Sequence, residues 1–532
     1  MTRTAGRVGG WADGAWSVLL IALLSAYLPI RLSAQGTEGE RGKAVYEKWC
    51  AQCHGDTGDG EGPAAHYMLP RPRDFTRAMY QVRTTASGEL PTDADILRAI
   101  DDGLPGTAMP GWKTRLSNQD RQAVAAYLKT FSTFFEGATP QPLDFGKAPG
   151  GGDEAIRIGR LMYDSIGCQK CHGAAGRGDG KSTAELDDDF GNPMVAADLT
   201  QSWLFNGGAT VEEIYRRLRT GLDGTPMPSF SDLLDQKYLT DQELWRLAQY
   251  VRSLSPQDPP RVRDVILARR VEGGLPAAPD DSAWAGVGEY WFPLVGQIIR
   301  KSRLFTPAVT DVRVRAVHNG DSLALRLVWH DRSQSPDPRW LGYAQKVLAA
   351  LNVDDAAPPK AQPWPDQVAV QFPRKIPTGM DRPYFLMGTG SEPVYQWRWR
   401  SEPRGAEEGT ARGLDRWEAQ APAGQELGAQ AVYERGEWRV VLTRALATSD
   451  TTNDLQFAAG RAIPVAFFAW DGSSGEFGSR SAVSAWYYLA LGQPTPPRVY
   501  VAPVVAIALT LGLGLWMVRR ANEGQGGRGI RI

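Results

Sequence analysis

The first half of the chain is organised around two short stretches, Cys50-Ala51-Gln52-Cys53-His54 and Cys168-Gln169-Lys170-Cys171-His172. Each has two cysteines three positions apart and a histidine directly after the second cysteine. This pattern is typical of covalent c-type haem attachment, in which both thiols bond to the porphyrin and the imidazole binds the iron. The two stretches contain all four cysteines of the chain. The sequence therefore predicts two covalently bound haem c groups.

A methionine follows each of these histidines at the same separation along the chain. Met109 lies as far beyond His54 as Met227 lies beyond His172. Both methionines belong to a segment of the form GL-x-GT-x-MP. A single methionine is more often a core residue than a ligand, but its thioether is a soft ligand that suits haem iron. The matched spacing and context predict that Met109 and Met227 are the second axial ligands.

Two other kinds of cysteine site fit the sequence less well. A zinc site with two CxxC pairs needs four thiolates brought together, whereas Cys53 and Cys168 lie far apart in the sequence. It would also leave the two histidines and the methionine segments unexplained. A thioredoxin-like dithiol explains neither the histidines nor the duplication. Both interpretations are therefore disfavoured.

The segments around the two motifs repeat one another over residues 37–136 and 153–255, and a linker rich in proline and glycine, residues 137–152, joins them. Apolar residues recur with a helical period, and capping residues mark the predicted helix starts. The predicted caps are Thr37, Thr92 and Ser117 in the first segment and Asp153, Thr210 and Thr240 in the second. The order helix, haem motif, loop, helix, methionine loop, helix predicts a duplicated all-α domain.

Both segments resemble class I cytochrome c domains in their CxxCH motifs, methionine loops and order of helices. The resemblance implies that His54 and Met109 bind one iron and that His172 and Met227 bind the other. With both axial positions filled, the iron has no open site for a substrate, so the domains are expected to carry electrons. The alternative is a dihaem peroxidase or a haem dehydrogenase acting on a small substrate, which requires a five-coordinate haem. Leu69-Pro70-Arg71-Pro72 is either a plain loop or a segment that orients His54 through a backbone carbonyl.

Beyond residue 260 the apolar pattern changes from a helical period to strict alternation. Residues 312–331 alternate and turn at Asn319-Gly320, a strong signal for a β-hairpin. The further predicted strands are 367–372, 394–399, 431–442 with a turn near Gly436, 463–470 and 482–491. Short strands rich in Val, Trp and Tyr predict an antiparallel all-β sandwich or barrel over residues 261–492.

This β region resembles the haem-binding domain of the gamma subunits of ethylbenzene dehydrogenase and its relatives dimethylsulfide dehydrogenase, selenate reductase and chlorate reductase. The resemblance is carried by YFLMG at 384–388, PVYQWRW at 393–399, PVAFFAWDG at 464–472 and SAWYYL at 484–489. It implies one b-type haem between a methionine, here Met387, and a lysine. Arg480 stands where that lysine is expected, and a guanidinium has no lone pair for iron. Either the b haem is absent, or His318 or His330 binds it.

Both ends of the chain carry apolar runs. Residues 1–34 have a basic start, an apolar middle and the small residues Leu32-Ser33-Ala34 at the end, which predicts a cleaved export signal, with an uncleaved anchor as the alternative. Residues 499–518 carry no charge and precede Arg519 and Arg520. Their length matches one bilayer core, which predicts a transmembrane helix with the tail 519–532 in the cytoplasm. A buried soluble helix is the alternative.

These features predict a single-pass protein of the cell inner membrane whose haem domains lie on the periplasmic side. It is expected to be an electron-transfer subunit of a respiratory oxidoreductase without independent catalysis. The resemblance implies redox partners that include a molybdopterin enzyme with an iron-sulfur subunit. The net charge of −1, from 59 basic and 60 acidic residues, gives no sign of nucleic acid binding. For the β region, a carbohydrate- or surface-binding module remains the alternative.

Overall fold

The computed structural model describes residues 37–352, 354, 357–379, 381–414, 416–493 and 498–525. The predicted export signal, residues 1–34, lies outside the described residues, as does the end of the predicted tail beyond residue 525. The described chain consists of two helical units, a large β region and one C-terminal helix. This confirms the predicted fold class.

The first helical unit contains α1 (Glu38–Trp49), α2 (Ala51–His54), α3 (Asp93–Asp102) and α4 (Asn118–Leu128). The predicted caps are confirmed: the Thr37 and Thr92 side chains each close a capping box, and the Ser117 side chain accepts from the backbone N–H of Asp120. Such caps satisfy backbone donors that a helix start otherwise leaves without partners. Local sequence therefore determines where these helices begin.

The second helical unit contains α5 (Asp153–Ile166), α6 (Gln169–His172), α7 (Val211–Thr220), α8 (Ser231–Asp235) and α9 (Asp241–Ser253). The caps at Thr210 and Thr240 are confirmed. The cap predicted at Asp153 is wrong, because Gly152, at φ 125°, holds the cap position and Asp153 is the first helical residue. There its carboxylate still interacts favourably with the positive end of the helix dipole.

A glycine sets the same helix crossing in both units. A Cβ added to Gly42 of α1 would lie 2.3 Å from the backbone oxygen of Ala123 in α4, and one added to Gly159 of α5 would lie 2.1 Å from that of Arg246 in α9. Only a residue without a side chain allows the two backbones to approach this closely. The first and last helices of each unit therefore cross at a matching point.

The β region has fourteen strands within the described residues, and the hairpin predicted at Asn319-Gly320 is confirmed by β4 and β5. The strands are β1 (Val265–Arg270), β2 (Tyr290–Pro293), β3 (Val295–Gly296), β4 (Asp311–His318), β5 (Ser322–His330), β6 (Gln367–Pro373), β7 (Val394–Arg400), β8 (Gly405–Ala411), β9 (Trp417–Ala419), β10 (Gly428–Glu434), β11 (Glu437–Ala445), β12 (Ala462–Trp470), β13 (Ala482–Val483) and β14 (Tyr487–Leu491). Helix α10 (Leu341–Ala350) follows β5. The strands β1, β2, β3, β8 and β9 and the helix α10 were not predicted.

The strands form one sheet path in the order β10-β11-β5-β4-β1-β14-β12-β6-β7-β8-β9. Neighbouring strands are antiparallel except at β1, which pairs in parallel with both β4 and β14. The two halves of the path share one core, where Trp399 of β7 contacts Trp438 of β11 and Trp329 of β5 at centroid distances of 4.7 and 5.8 Å. The mainly antiparallel sandwich is thus as predicted, and β1 is its parallel exception.

The C-terminal helix α11 spans Arg498–Gln525. Within it, Val499–Glu523 is the one segment of the described residues that is long and apolar enough to cross a membrane. None of the residues in its most apolar part is buried against the rest of the protein. A soluble core helix would bury such a surface. The buried-helix alternative for residues 499–518 is therefore disfavoured.

Candidate haem-binding sites

The imidazoles of both CxxCH motifs are oriented in the same way. Nδ1 of His54 lies 3.0 Å from the backbone oxygen of Arg73, and Nδ1 of His172 lies 3.0 Å from that of Ala197. A carbonyl oxygen can only accept a hydrogen bond, so each Nδ1 carries the proton and each Nε2 keeps its lone pair. Burial lowers the pKa of both histidines. Each ring is therefore held neutral with Nε2 ready to bind a metal.

Each orienting carbonyl directly precedes a short turn that occurs in both units. Thr76 donates to the Asp74 carboxylate through its backbone N–H (2.9 Å) and hydroxyl (2.6 Å), and Thr200 does the same to Asp198 at 2.8 and 2.6 Å. In the first of these turns, the central residue Phe75 stacks on the His54 ring at 4.5 Å. The predicted carbonyl support for His54 therefore comes from one residue beyond the proline-rich segment.

The four cysteines are half-buried and unpaired by disulfide bonds. Burial raises the pKa of Cys50 to about 12 and that of Cys168 to about 11, and it also raises the pKa values of Cys53 and Cys171. A redox-active dithiol or a zinc site needs thiolates, which low pKa values favour. These shifts are opposite to that requirement and agree with the sequence-based rejection of both rivals.

The two methionine loops have matching hydrogen bonds. The Thr107 hydroxyl donates to the oxygen of Leu104 (2.7 Å) and accepts from the backbone N–H of Met109 (3.1 Å). In the second unit, the Thr225 hydroxyl makes the corresponding bonds around Met227, at 2.7 and 3.2 Å. The threonine of the GL-x-GT-x-MP pattern thus fixes the backbone that presents each thioether.

One cysteine and the predicted methionine ligand of each unit lie against the same hydrophobic cluster. Cys50 and Met109 are half-buried and pack against the core of the first unit. Cys168 and Met227 pack in the same way against the core of the second. Two separate sites, one in each unit, are the arrangement that these contacts favour.

A buried tyrosine holds the turn after each histidine. The Tyr46 hydroxyl donates to the backbone oxygen of Gly55 at 2.6 Å, and the Tyr163 hydroxyl donates to that of Gly173, also at 2.6 Å. Both side chains are almost completely buried. Each hydroxyl therefore links the first helix of its unit to the end of the CxxCH motif.

We expect Tyr46→Phe to lower the free energy of unfolding of the first unit by about 1 kcal/mol, because the buried oxygen of Gly55 loses its shorter hydrogen bond and keeps only the one from the backbone N–H of Gly58, at 3.3 Å. Denaturant unfolding followed by haem absorbance measures this change. Tyr238→Phe is the control, since that side chain is 74% exposed and water replaces its hydroxyl. Equal stability of the two variants would contradict the role given to Tyr46.

The helical units contact each other beside the methionine loops. Asp223, in the loop of Met227, pairs with the fully buried Arg83 at 2.7 Å and accepts from the backbone N–H of Gly88 at 2.8 Å. Arg83 also donates to the backbone oxygen of Thr220 at 2.9 Å. An arginine of the first unit thus binds the loop that presents the second methionine.

Further contacts bring the two candidate sites next to each other. A Cβ on Gly224 would lie 3.0 Å from Nη1 of Arg73, the residue whose carbonyl orients His54. In the first methionine loop, a Cβ on Gly106 would lie 2.8 Å from the backbone oxygen of Leu204. Each methionine loop therefore touches the opposite unit.

The residues around Met387 do not fit a b-type haem. The buried sulfur of Met387 accepts from Nη2 of Arg398 at 3.1 Å, and that guanidinium lies 4.5 Å from the ring centre of Trp417. Arg480, at the expected lysine position, donates to the backbone oxygens of Gly475 (3.2 Å) and Arg303 (2.9 Å). One predicted ligand is already hydrogen-bonded, and its partner position lacks a lone pair.

The two histidines considered as substitutes both bind backbone carbonyls. Nε2 of His318 lies 2.8 Å from the oxygen of Gly492, inside the β region. Nε2 of His330 lies 2.5 Å from the oxygen of Arg177, and its Nδ1 lies 3.9 Å from the Asp198 carboxylate. His330 thus joins the β region to the second helical unit, and burial lowers its pKa. Neither contact supports a role as haem ligand.

Three family models match successive parts of the chain. Residues 37–128 match cytochrome c oxidase, cbb3-type, subunit III; residues 156–255 match cytochrome c; and residues 281–421 match ethylbenzene dehydrogenase. The predicted order of two cytochrome c-type domains and an ethylbenzene dehydrogenase-type domain is therefore confirmed. Cytochrome c-type domains imply covalent haem c, and the cysteine pairs at 50/53 and 168/171 fit its attachment motif.

Relatives of the chain include subunits of respiratory complexes. The chain is 27% identical over 256 residues, 47% of its length and 82% of the relative, to a Haloferax mediterranei protein described as respiratory nitrate reductase heme subunit ORF7. It is 27% identical to the cbb3-type cytochrome c oxidase subunit CcoP of Helicobacter pylori, over 41% of the chain and 59% of that relative. A chain of the Kuenenia stuttgartiensis reducing HAO-like protein complex Kustc0457/Kustc0458 is 45% identical, with 41% of this chain and 96% of that chain covered and a TM-score of 0.39.

Proposed function

We propose that this protein is a membrane-anchored dihaem cytochrome c that passes single electrons between a partner oxidoreductase and a respiratory acceptor. Cys50, Cys53, His54 and Met109 would hold one haem, and Cys168, Cys171, His172 and Met227 would hold the other. The matched orientation of the two imidazoles and the matched hydrogen bonds of the two methionine loops support this assignment.

In such a site the haem supplies an iron that changes between the ferric and ferrous states. The chain's own residues set how this happens. The carbonyls of Arg73 and Ala197 hold the imidazoles in one tautomer, and the thioethers of Met109 and Met227 favour ferrous iron. Because imidazole and thioether would fill both axial positions, a substrate has no place to bind. Electron transfer without bond chemistry is what this donor set supports.

The observation that carries the proposal is the contact between the methionine loops and the opposite unit. Arg73 supports His54 through its carbonyl, and its side chain reaches the loop of Met227. Nη1 of Arg98 donates to both carboxylate oxygens of Glu213, at 3.0 Å each, and adds a second link between the units. Two electron carriers that are held against each other form a short relay. Independent carriers on flexible linkers would not form one.

We expect Arg83→Gln to lower the free energy of unfolding by about 2 kcal/mol, because the half-buried Asp223 loses its ion-pair partner and the buried backbone oxygen of Thr220 loses a donor. It should also slow electron exchange between the haems, since the loop of Met227 loses one of the contacts that hold it against the first unit. Stopped-flow or flash-induced absorbance changes measure the exchange. Arg157→Gln, which breaks only an exposed pair with Glu154, is the control. Exchange that is equally fast in both variants would contradict the relay.

Ligand binding distinguishes this proposal from a dihaem peroxidase or haem dehydrogenase. Two haems with both axial positions filled should give low-spin spectra that do not change when carbon monoxide is added to the reduced protein or cyanide to the oxidised protein. Peroxidase or dehydrogenase chemistry needs an exchangeable position. A high-spin fraction, or carbon monoxide binding by one haem of the unmodified protein, would favour the enzyme.

We expect a pyridine haemochrome assay to find two haems per chain, both retained after acid-acetone extraction. The hydrogen bond from Arg398 to the Met387 sulfur and the arginine at position 480 support a β region without a b haem. Mass spectrometry of the intact chain provides an independent count. A third, extractable haem would contradict this expectation and make Met387 a candidate ligand again.

For the β region we propose a docking role toward a redox partner. Its ethylbenzene dehydrogenase-type match and the similarity to a nitrate reductase heme subunit support a partner of molybdopterin type with an iron-sulfur subunit. Helix α11 supports an anchor in the inner membrane, with the haem units on the periplasmic side. Purification of the native complex tests this proposal. If the protein is isolated without molybdenum and without an iron-sulfur subunit, the result counts against it.

A further inference from the structure

The outer face of the sandwich has an uncovered strip where its two halves join. β1 and β14 pair in parallel, with Val265 beside Tyr488 and Leu267 beside Ala490. Their alternate neighbours Ile266 and Leu489 point into the core, so these four residues face outward. We call Val265, Leu267, Tyr488 and Ala490 the outer strip. Val265 is 45% and Leu267 53% exposed, although both are strongly apolar.

The sheet surface on either side of the outer strip is covered. On one side, Trp284 and Val287 cover Val317 of β4 in a buried cluster. On the other, Leu386 and Met387 cover Phe468 of β12 in a second cluster. The outer face is therefore covered on both sides of the β1–β14 junction, whereas the apolar residues of the outer strip are exposed and form a candidate interaction surface.

Basic residues surround the outer strip. Residues 261–270 read RVRDVILARR, with four exposed arginines and one aspartate. Arg382 stacks on the ring of Tyr488, with 4.6 Å between its guanidinium carbon and the ring centre. The apolar outer strip and the arginines around it fit a surface with an apolar interior and anionic headgroups. A bilayer that contains anionic phospholipid is such a surface.

The chain leaves the sandwich toward the membrane helix at this strip. β14 ends at Leu491, and α11 begins at Arg498. A chain of this length can span at most roughly 25 Å. The backbone N–H of Gly492, the first residue of the connection, donates to the oxygen of Ala268 in β1 at 2.8 Å. The point of exit is therefore fixed beside the outer strip.

We propose that the outer strip rests on an anionic phospholipid bilayer, the same bilayer that α11 enters. The short connection keeps the strip near the membrane surface, the arginines attract anionic headgroups, and Val265 and Leu267 enter the interface. This inference rests on the proposed membrane anchor and adds an orientation to it. The β1–β14 junction faces the lipid, and the helical units are held at a fixed angle to the membrane.

The test uses the full-length protein in nanodiscs of phosphatidylcholine, with or without one third phosphatidylglycerol. Carbene footprinting with a diazirine reagent measures how accessible Val265 and Leu267 are. Because each basic residue near an anionic leaflet strengthens binding roughly fivefold, we expect labelling to fall about threefold or more in the anionic discs and to recover at high salt. Tyr238, 74% exposed in the second helical unit, is the internal reference.

A pair of charge reversals tests the basic margin. Arg261→Glu combined with Arg263→Glu should remove the protection in anionic discs. Lys113→Glu combined with Arg115→Glu changes two exposed charges at the same spacing in the first helical unit and should leave it intact. The haem spectrum and the labelling of Tyr238 show whether each variant is folded. The comparison of the two lipid compositions uses the unmodified protein and does not depend on the folding of any variant.

Several outcomes would overturn the inference. Equal labelling of the strip in both kinds of nanodisc would do so. Protection that persists at high salt and in the variant with Arg261→Glu and Arg263→Glu would also do so. Protection that appears without lipid, only in a complex with another protein or in a second copy of the chain, would assign the strip to that partner. Failure of the protein to enter nanodiscs at all would instead reject the membrane anchor itself. These results are therefore distinguishable.

Discussion

Met227→Leu should lower the reduction potential of the second haem and open its iron to carbon monoxide. Leucine fills much of the space of methionine but offers no sulfur, so the iron loses a ligand that favours its ferrous state. Since axial ligation moves haem potentials over about 0.8 V, the expected drop is on the order of one to three tenths of a volt. A spectroelectrochemical titration should show one unchanged and one displaced transition.

The control for this variant is Met162→Leu, which changes another half-buried methionine that packs against the same hydrophobic cluster. It should leave both potentials unchanged and admit no carbon monoxide. Met109→Leu should displace the other transition, so the two ligand variants together assign each potential to its unit. If Met227→Leu titrates like the unmodified protein and binds no carbon monoxide, a different residue is the ligand.

Replacement of Cys168 and Cys171 by alanine should remove one covalent haem and unfold the second helical unit. A domain of about 100 residues has a small core, and the haem would supply much of its apolar contact. This unit also joins the rest of the molecule, through Arg98 and Glu213 on one side and Arg177 and Glu437 on the other. Intact-mass analysis should find a single haem, and thermal unfolding should begin at a lower temperature.

The reciprocal variant, with Cys50 and Cys53 replaced by alanine, is the matched control. It should also lose one haem, but it should keep the contact between Arg177 and Glu437 and therefore the attachment of the second unit to the β region. Limited proteolysis distinguishes the two variants by the unit that is cut first. Retention of two covalent haems in either variant would contradict the assignment of the cysteines.

Sequence patterns predicted the elements whose signals are local. The hairpin at Asn319-Gly320 follows from alternation and turn chemistry, and the threonine and serine caps follow from the few residues around them. Strand β1 gave no such signal, because it ends in two arginines and its partner β14 lies at the opposite end of the β region in sequence. β8, with two glycines and two glutamates, is likewise a strand only because of its neighbours.

The candidate sites show the same division. The spacing of CxxCH and of the methionine segments predicted the donors, since each donor is a side chain of a particular type. The groups of Arg73 and Ala197 that orient the imidazoles are backbone oxygens, which any residue can supply. The residue types at these two positions therefore do not reveal this role. The recognisable pattern is the Asp-x-Thr turn that directly follows Arg73 and Ala197. It can be identified in the sequence because it occurs in both units.

The parallel pairing of β1 with β14 also constrains the order of folding. Val265 and Tyr488 are neighbours in the sheet, yet they come from the first and the last strand of the β region. Closing so long a loop is slow, and it must wait until the last strand has been synthesised. The helical units are built from contacts within about 100 residues of sequence and can fold while the sandwich is still open. Their porphyrins can therefore be attached first, and the sandwich closes only as the membrane helix emerges.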